Sequence, residues 1–159
     1  MNDIMKKEVI NECRVKFPAI SRNEGLSRSA ASAFALQCDP TVEEIAAIKT
    51  AVSEAVTNAI VHGYRDMDGD VEMVMRLYSD NILYIQVKDK GRGIPDVAEA
   101  MQPTFTTAPE DEERSGLGFT MMESFMDKVR VRSVVGKGTS VILEKHICSK
   151  GGKGEKIGS

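Results

Sequence analysis

Apolar and polar residues roughly alternate over residues 9–17. That period of two predicts a strand, and Pro18 closes it because proline has no amide to give a ladder. From Ser21 the period lengthens. Ser21 and Glu24 have the spacing of a capping box, and Leu26, Ala30, Ala33 and then Phe34 or Gln37 follow at helical period, predicting a helix over 22–37. Asp39-Pro40-Thr41 breaks the chain, and Thr41 with Glu44 repeats the box ahead of Ile45, Ile48, Val52, Ala55, Val56, Ala59 and Ile60. This predicts a second, longer helix that glycine stops near His62-Gly63.

Residues 64–70, rich in Asp and Gly, read as a connection. Beyond it Val71, Met73, Met75 and Leu77 alternate with polar residues as a half-buried strand does, Ser79-Asp80-Asn81 is a turn, and residues 82–87 return, so the pair forms a hairpin. Residues 89–95 are glycine-rich and 96–101 suit one or two helical turns. Residues 102–115 are long, polar and interrupted by Pro103 and Pro109, which predicts a mobile lid. After Gly118, residues 119–126 suit a buried helix, and residues 129–135 and 139–145 make a final hairpin around Gly136-Lys137-Gly138. The tail, 149–159, has the glycine and lysine content of a disordered segment, leaving 1–148 as one domain. Helices segregated between hairpins favour an α+β two-layer sandwich, with helices on one face of a mostly antiparallel sheet, over a parallel Rossmann sheet.

Composition narrows the function classes. At 159 residues there is core enough for one domain. The absence of Trp, the 5% aromatic content and a net charge of −3 argue against direct nucleic-acid binding, so a DNA-related role would pass through a protein partner. Cys13, Cys38 and Cys148 are odd in number and widely spaced, and read as reduced structural thiols. Charged residues interrupt the first seventeen positions, leaving no signal-peptide core, and no run approaches a membrane span, so a cytoplasmic location without membrane attachment is expected.

The second predicted helix carries Glu54, Asn58 and His62 at successive i, i+4 positions, which stacks three polar side chains on one face. Such a stack can be a solvated face, but Asn is a poor mid-helix residue, and its side-chain oxygen suits a hard cation shared with phosphates. Asp89-Lys90-Gly91-Arg92-Gly93 follows a predicted strand. Its glycines let backbone approach a planar ligand while Asp89 accepts a hydrogen bond from it; alone, it is also only a turn. Ser115-Gly116-Leu117-Gly118 is expected to open a helix, where free amides and the dipole attract phosphate. Gly136-Lys137-Gly138-Thr139 is not a P-loop, since Gly138 stands where Ser or Thr must follow the lysine, and protein-kinase HRD and DFG motifs are missing.

In order, ExxxNxxxHG, DxGxG, GLGF and GxGT resemble the four nucleotide boxes of the GHKL ATPases, the superfamily of gyrase B, the heat-shock chaperones, MutL and the histidine kinases. Within it, SEAVTNAIVHGY (53–64), PTFTT (103–107) and RSGLGFTMMESFMD (114–127) closely resemble the anti-sigma F factor kinases of spore-forming bacteria, the stage II sporulation protein AB family. The resemblance spans about residues 17–146. Ala108, where some members have lysine, and an acidic run at 110–113 longer by one residue are its departures.

The resemblance implies a Bergerat-type sandwich on a mixed, mostly antiparallel sheet, binding ATP or ADP with Mg²⁺. It implies that the residue matching Asn58 holds Mg²⁺ and that Glu54 is the general base toward a serine hydroxyl. Asp89 reads the adenine amine with Thr139 assisting, and Gly91, Gly93 and Ile94 lie along the ring. Thr106 and Thr107 in the lid, with Ser115, Gly116, Leu117, Gly118 and Phe119, surround the phosphates, and Arg114 neutralises charge on the transferred group. Glu24 and Arg28, i, i+4 neighbours that are otherwise a surface ion pair, match residues that meet both a sigma factor and its anti-anti-sigma factor, so the partners compete. A homodimer is implied as well. A stress-response anti-sigma serine kinase of the same family, or a nucleotide-sensing module without kinase activity, are the alternatives; the lack of an upstream dimerisation helix disfavours a histidine kinase fragment.

Overall fold

The computed structural model describes residues 8–102 and 110–148, and for 110–117 the backbone alone. The first strand, β1 (Val9–Pro18), leads into helix α1 (Asn23–Ala35), a short 3-10 turn and the long helix α2 (Val42–Asn58). A hairpin of β2 (Asp70–Tyr78) and β3 (Ile82–Asp89) follows, then the single-turn α3 (Val97–Ala100), helix α4 (Glu110–Phe125), and the hairpin β4 (Lys128–Val134) with β5 (Gly138–His146). The sheet order is β1-β2-β3-β5-β4, and every pairing among the described residues is antiparallel, so the parallel component of a mixed sheet is not seen there.

Alternation fixes which face of the sheet is covered. Met73 pairs with Val87 and Val87 with Val141, while Met75 pairs with Ile85 and Ile85 with Leu143; all six are buried beneath Ile48, Val52 and Val56 of α2. The opposite face carries ion pairs, Glu12 with Arg14 (2.8 Å) and Arg76 (3.0 Å), and Arg130 with Glu144 (2.8 Å). The third strand's neighbour is the fifth, not the fourth. That crossover sends α3 and α4 over the covered face and sets Asp89, at the end of β3, opposite Thr139, at the start of β5.

Helix α2 begins where its capping box predicts: Glu44 N–H donates to Thr41 Oγ1 (3.1 Å) and Thr41 N–H to Glu44 Oε1 (2.9 Å). Its last turn widens over Ala59–Gly63, with Tyr64 N–H donating to the Ala59 carbonyl in an i to i+5 bond (3.0 Å). Wide turns of this kind recur at functional sites.

The other box does not form. At the start of α1 the Glu24 amide bonds the Ser21 backbone carbonyl (3.1 Å), and the Glu24 carboxylate turns instead to Arg28 (2.8 Å) and to the Ser53 hydroxyl on α2. A charged partner and a hydroxyl from the neighbouring helix outcompete the local amide. The buried stripe of α1 is consequently Ser27, Ala31, Phe34 and Ala35, with Leu26 and Ala33 exposed. Ser27 tolerates burial because its hydroxyl donates to the Glu24 carbonyl (2.6 Å).

Two further expectations change. The predicted lid over 102–115 is helical from Glu110, and the glycine segment 115–118 lies inside α4 instead of opening it. Amides in a helix interior are committed to the carbonyls four residues back, so free donors at a helix start are not what this segment offers. Of the three cysteines, all free, Cys38 alone is buried, and loss of solvent raises its thiol to about 11. The segments 103–109 and 149–159 lie outside the described residues. No helix among the described residues is long and apolar enough to cross a membrane.

Candidate nucleotide site

A cavity of about 870 Å³ opens between the end of α2, the turn after β3 and the start of β5. It is within the size range of small-molecule sites, ~300–1,000 Å³. Asn58, Ala59, His62 and Gly63 line one wall, Arg92, Gly93, Ile94 and Pro95 another, and Phe119 closes it from α4, with Asp89 and Thr139 among the lining residues from β3 and β5. Six of the predicted residues therefore meet here: Asn58, Asp89, Gly93, Ile94, Phe119 and Thr139. The helical spacing 55, 58, 59, 62 delivers the α2 wall, since those positions share one face.

Asp89 is only 9% exposed. Burial pushes its carboxyl above the ordinary carboxylate value, while backbone bonds from Gly91 and Thr139 pull the other way. The Gly91 amide reaches Asp89 Oδ1 at 2.9 Å. A buried acceptor with partners on its protein side is suited to a ligand N–H arriving from the cavity.

The glycines serve a purpose that spacing did not reveal. A Cβ on Gly91 would lie 1.9 Å from the Gly63 carbonyl oxygen, so this residue is bare because two backbones touch, and it does not line the cavity. Gly93 has φ +81° and packs against the Val134 carbonyl, which makes it the position where left-handed backbone demands glycine. Ser133, unmarked by any motif, ties the wall together: its hydroxyl accepts the Ile94 amide (2.7 Å) and lies 2.8 Å from Thr139 Oγ1. No periodicity signals such a residue.

Glu54 stands one turn before Asn58 but lines a different cavity, of about 280 Å³, with Arg28, Lys49, Thr50 and Ser53. Gly118 joins the two sites. A Cβ there would lie 3.1 Å from Asn58 Nδ2 and 3.3 Å from Glu54 Oε1, so the bare helix position lets α4 press on both side chains. Arg28, bonded to Glu24, thus lies on the same small cavity as Glu54. Thr106 and Thr107 are outside the described residues, and Arg114, Ser115, Gly116 and Leu117 are placed by the backbone of α4 alone.

The donor set fits the groups the sequence implies. A buried carboxyl and a flush glycine turn suit a purine, and the Asn58 side-chain oxygen in the cavity wall suits a magnesium ion that keeps most of its ligands as phosphate and water. Among the described residues there is no cluster of three or more His, Cys, Asp or Glu able to hold a metal without such help.

Residues 17–145 match the family described as a histidine kinase-like ATPase domain. A protein of Geobacillus kaustophilus named anti-sigma F factor is 52% identical over 137 residues, covering 86% of this chain and 93% of the relative. One of a Thermoanaerobacter species, of the same name, is 51% identical over 142 residues, 89% of this chain and 98% of the relative. Among solved structures, the RsbU and RsbW domains of a Mycobacterium tuberculosis protein share the fold with a TM-score of 0.64 at 20% identity; the match covers 86% of this chain and 32% of that one. Ordered motifs, sandwich, cavity and these matches lead to one assignment: the chain belongs to the histidine kinase-like ATPase domain family and, within it, to the anti-sigma F factors.

Proposed function

We propose that this protein is an ATP-dependent serine kinase that binds and inhibits a sporulation sigma factor and phosphorylates a serine of the matching anti-anti-sigma factor. One observation carries the reading. Asn58 lines the large cavity, Glu54 lines the small one, and the two are neighbours on α2 beneath Gly118. A carboxylate between a nucleotide-sized cavity and a surface cavity is where a base must stand to serve an acceptor hydroxyl arriving from a second protein.

In this mechanism Asp89 accepts a hydrogen bond from the adenine amine, Thr139 supports the ring, and Gly93 and Ile94 lie along it. The Asn58 side-chain oxygen would hold the magnesium ion, which when bound neutralises phosphate charge and orients the transferred group. Glu54 takes the serine proton as the hydroxyl oxygen attacks the terminal phosphorus; the bond from that phosphorus to the bridging oxygen breaks, ADP leaves, and Arg114 offsets charge on the transferred group. Glu24 and Arg28, of which Arg28 lines the small cavity with Glu54, meet the partner proteins. The protein works as a homodimer in the cytoplasm, residues 1–148 acting as one unit.

Radiolabelled ATP with a candidate anti-anti-sigma protein tests the roles. Asn58→Ala is expected to abolish nucleotide binding, and Glu54→Gln to keep binding while losing transfer. Phosphorylation by Glu54→Gln at the wild-type rate removes the general-base role.

A further inference from the structure

Tyr64 follows the glycine that ends the widened helix turn, at the head of a polar connection, yet it is only 5% exposed. A buried phenol needs partners for its hydroxyl. Here the hydroxyl donates to the Asp70 carbonyl (2.7 Å) and accepts the Lys90 amide (2.6 Å). Those two backbone groups face each other for a reason written in the register. The β2–β3 ladder ends at Glu72 opposite Lys88, and continuing the same register past Val71 and Asp89 would add a rung with Asp70 opposite Lys90. The phenol hydroxyl occupies the place of that rung. It holds the end of β3 away from β2 without leaving either backbone group unpaired.

The ring packs against the backbone of Gly69. A Cβ on Gly69 would fall 2.2 Å from Tyr64 Cε1, so the ring lies flush on bare backbone. The released turn is then pinned from its other side, where the Arg92 amide donates to the Gly63 carbonyl (2.8 Å) and Gly91 packs on the same oxygen. Asp89 sits between these two clamps, and a Cβ on Gly63 would come within 2.9 Å of its carboxylate.

We propose that Tyr64 is a positioning residue for purine recognition, its hydroxyl setting where the Asp89 carboxylate stands and thereby the preference for a 6-amino over a 6-oxo purine. The inference rests on the nucleotide reading of the large cavity. Tyr64→Phe keeps the ring and removes only the wedge, leaving the Lys90 amide to rejoin Asp70 or to stay unpaired. Calorimetric titration with ATP and with inosine triphosphate, each with magnesium, reads the result. ATP affinity is expected to fall about tenfold, inosine triphosphate affinity to fall less, and the ratio of the two to narrow. A purely structural tyrosine would lower the melting temperature and leave that ratio at the wild-type value, which overturns the inference while the nucleotide reading stands. Wild-type protein that binds neither nucleotide removes both. Should the variant fail to fold, hydrogen exchange on the wild type decides: a strongly protected Lys90 amide supports the wedge, and exchange at the free-peptide rate overturns it.

Discussion

Asp89 shows how far one residue can be read. Its place after a strand and before two glycines marked it as a ligand acceptor in sequence, and the fold puts it in the wall of the cavity. What spacing did not show is the energetic cost. Because burial raises its pKa above 3.8, the folded state disfavours the ionised form. The stability linked to this group is full below the unfolded value and is lost as pH rises through the folded one, so at neutral pH the carboxylate is a liability to folding. Asp89→Asn keeps an oxygen for the Gly91 amide and removes the charge. Its melting temperature at pH 7 should equal or exceed that of the wild type, the advantage vanishing toward pH 4, whereas ATP affinity falls about 10- to 100-fold as a charged hydrogen bond is lost. Paired melts and calorimetric titrations check this. A carboxylate kept for folding would show the reverse order. Gly91 was legible in identity but not in reason: residue spacing cannot distinguish a glycine that admits a ligand from one that admits another backbone, here the Gly63 carbonyl.

At the scale of elements, the two candidate capping boxes had the same spacing and different outcomes. Thr41 and Glu44 close theirs, and Glu44 Oε2 also accepts the Cys148 amide (2.9 Å), tying the start of α2 to the chain just past β5. Burial alone would raise the Glu44 carboxyl, but bonds from Cys148 and Thr41 outweigh it and the net shift is downward. Glu44 therefore contributes stability above its unfolded value, near 4.5, that is lost as pH falls through the lower folded value. Glu44→Ala should cost about 1–2 kcal/mol at pH 7, and the gap to wild type should shrink in urea melts taken progressively below pH 4.5. A gap independent of pH would mean that packing, not the carboxylate, supplies the effect. Ser21 and Glu24 failed because Ser53 lies 29 residues along the chain from Glu24 and reaches it only after α1 and α2 pack. Local pattern therefore found the strands and the core helices, while α4 begins at Glu110, eight residues before Gly118, where the glycine segment had suggested a start.

For the molecule as a whole, the cavity draws its walls from elements that lie apart in sequence and that the sheet order brings together: β3, β5, the end of α2 and α4. A ligand that bridges them binds the folded state alone, and mass action then adds about 2.7 kcal/mol at a hundredfold excess over Kd. For a chain of 159 residues, that corresponds to a rise of about 5–10 °C in melting temperature. Wild type with magnesium and ATP should show this rise, and Glu54→Gln should show it too, because Glu54 lines the other cavity. Asn58→Ala should show none. Arg14→Ala, on the open face of the sheet in an exposed pair with Glu12, should move the baseline by less than about 1 kcal/mol and keep the full nucleotide shift. If Glu54→Gln lost the shift with Asn58→Ala, the two cavities would be one site, and the separation of nucleotide from acceptor across α2 would have to be abandoned.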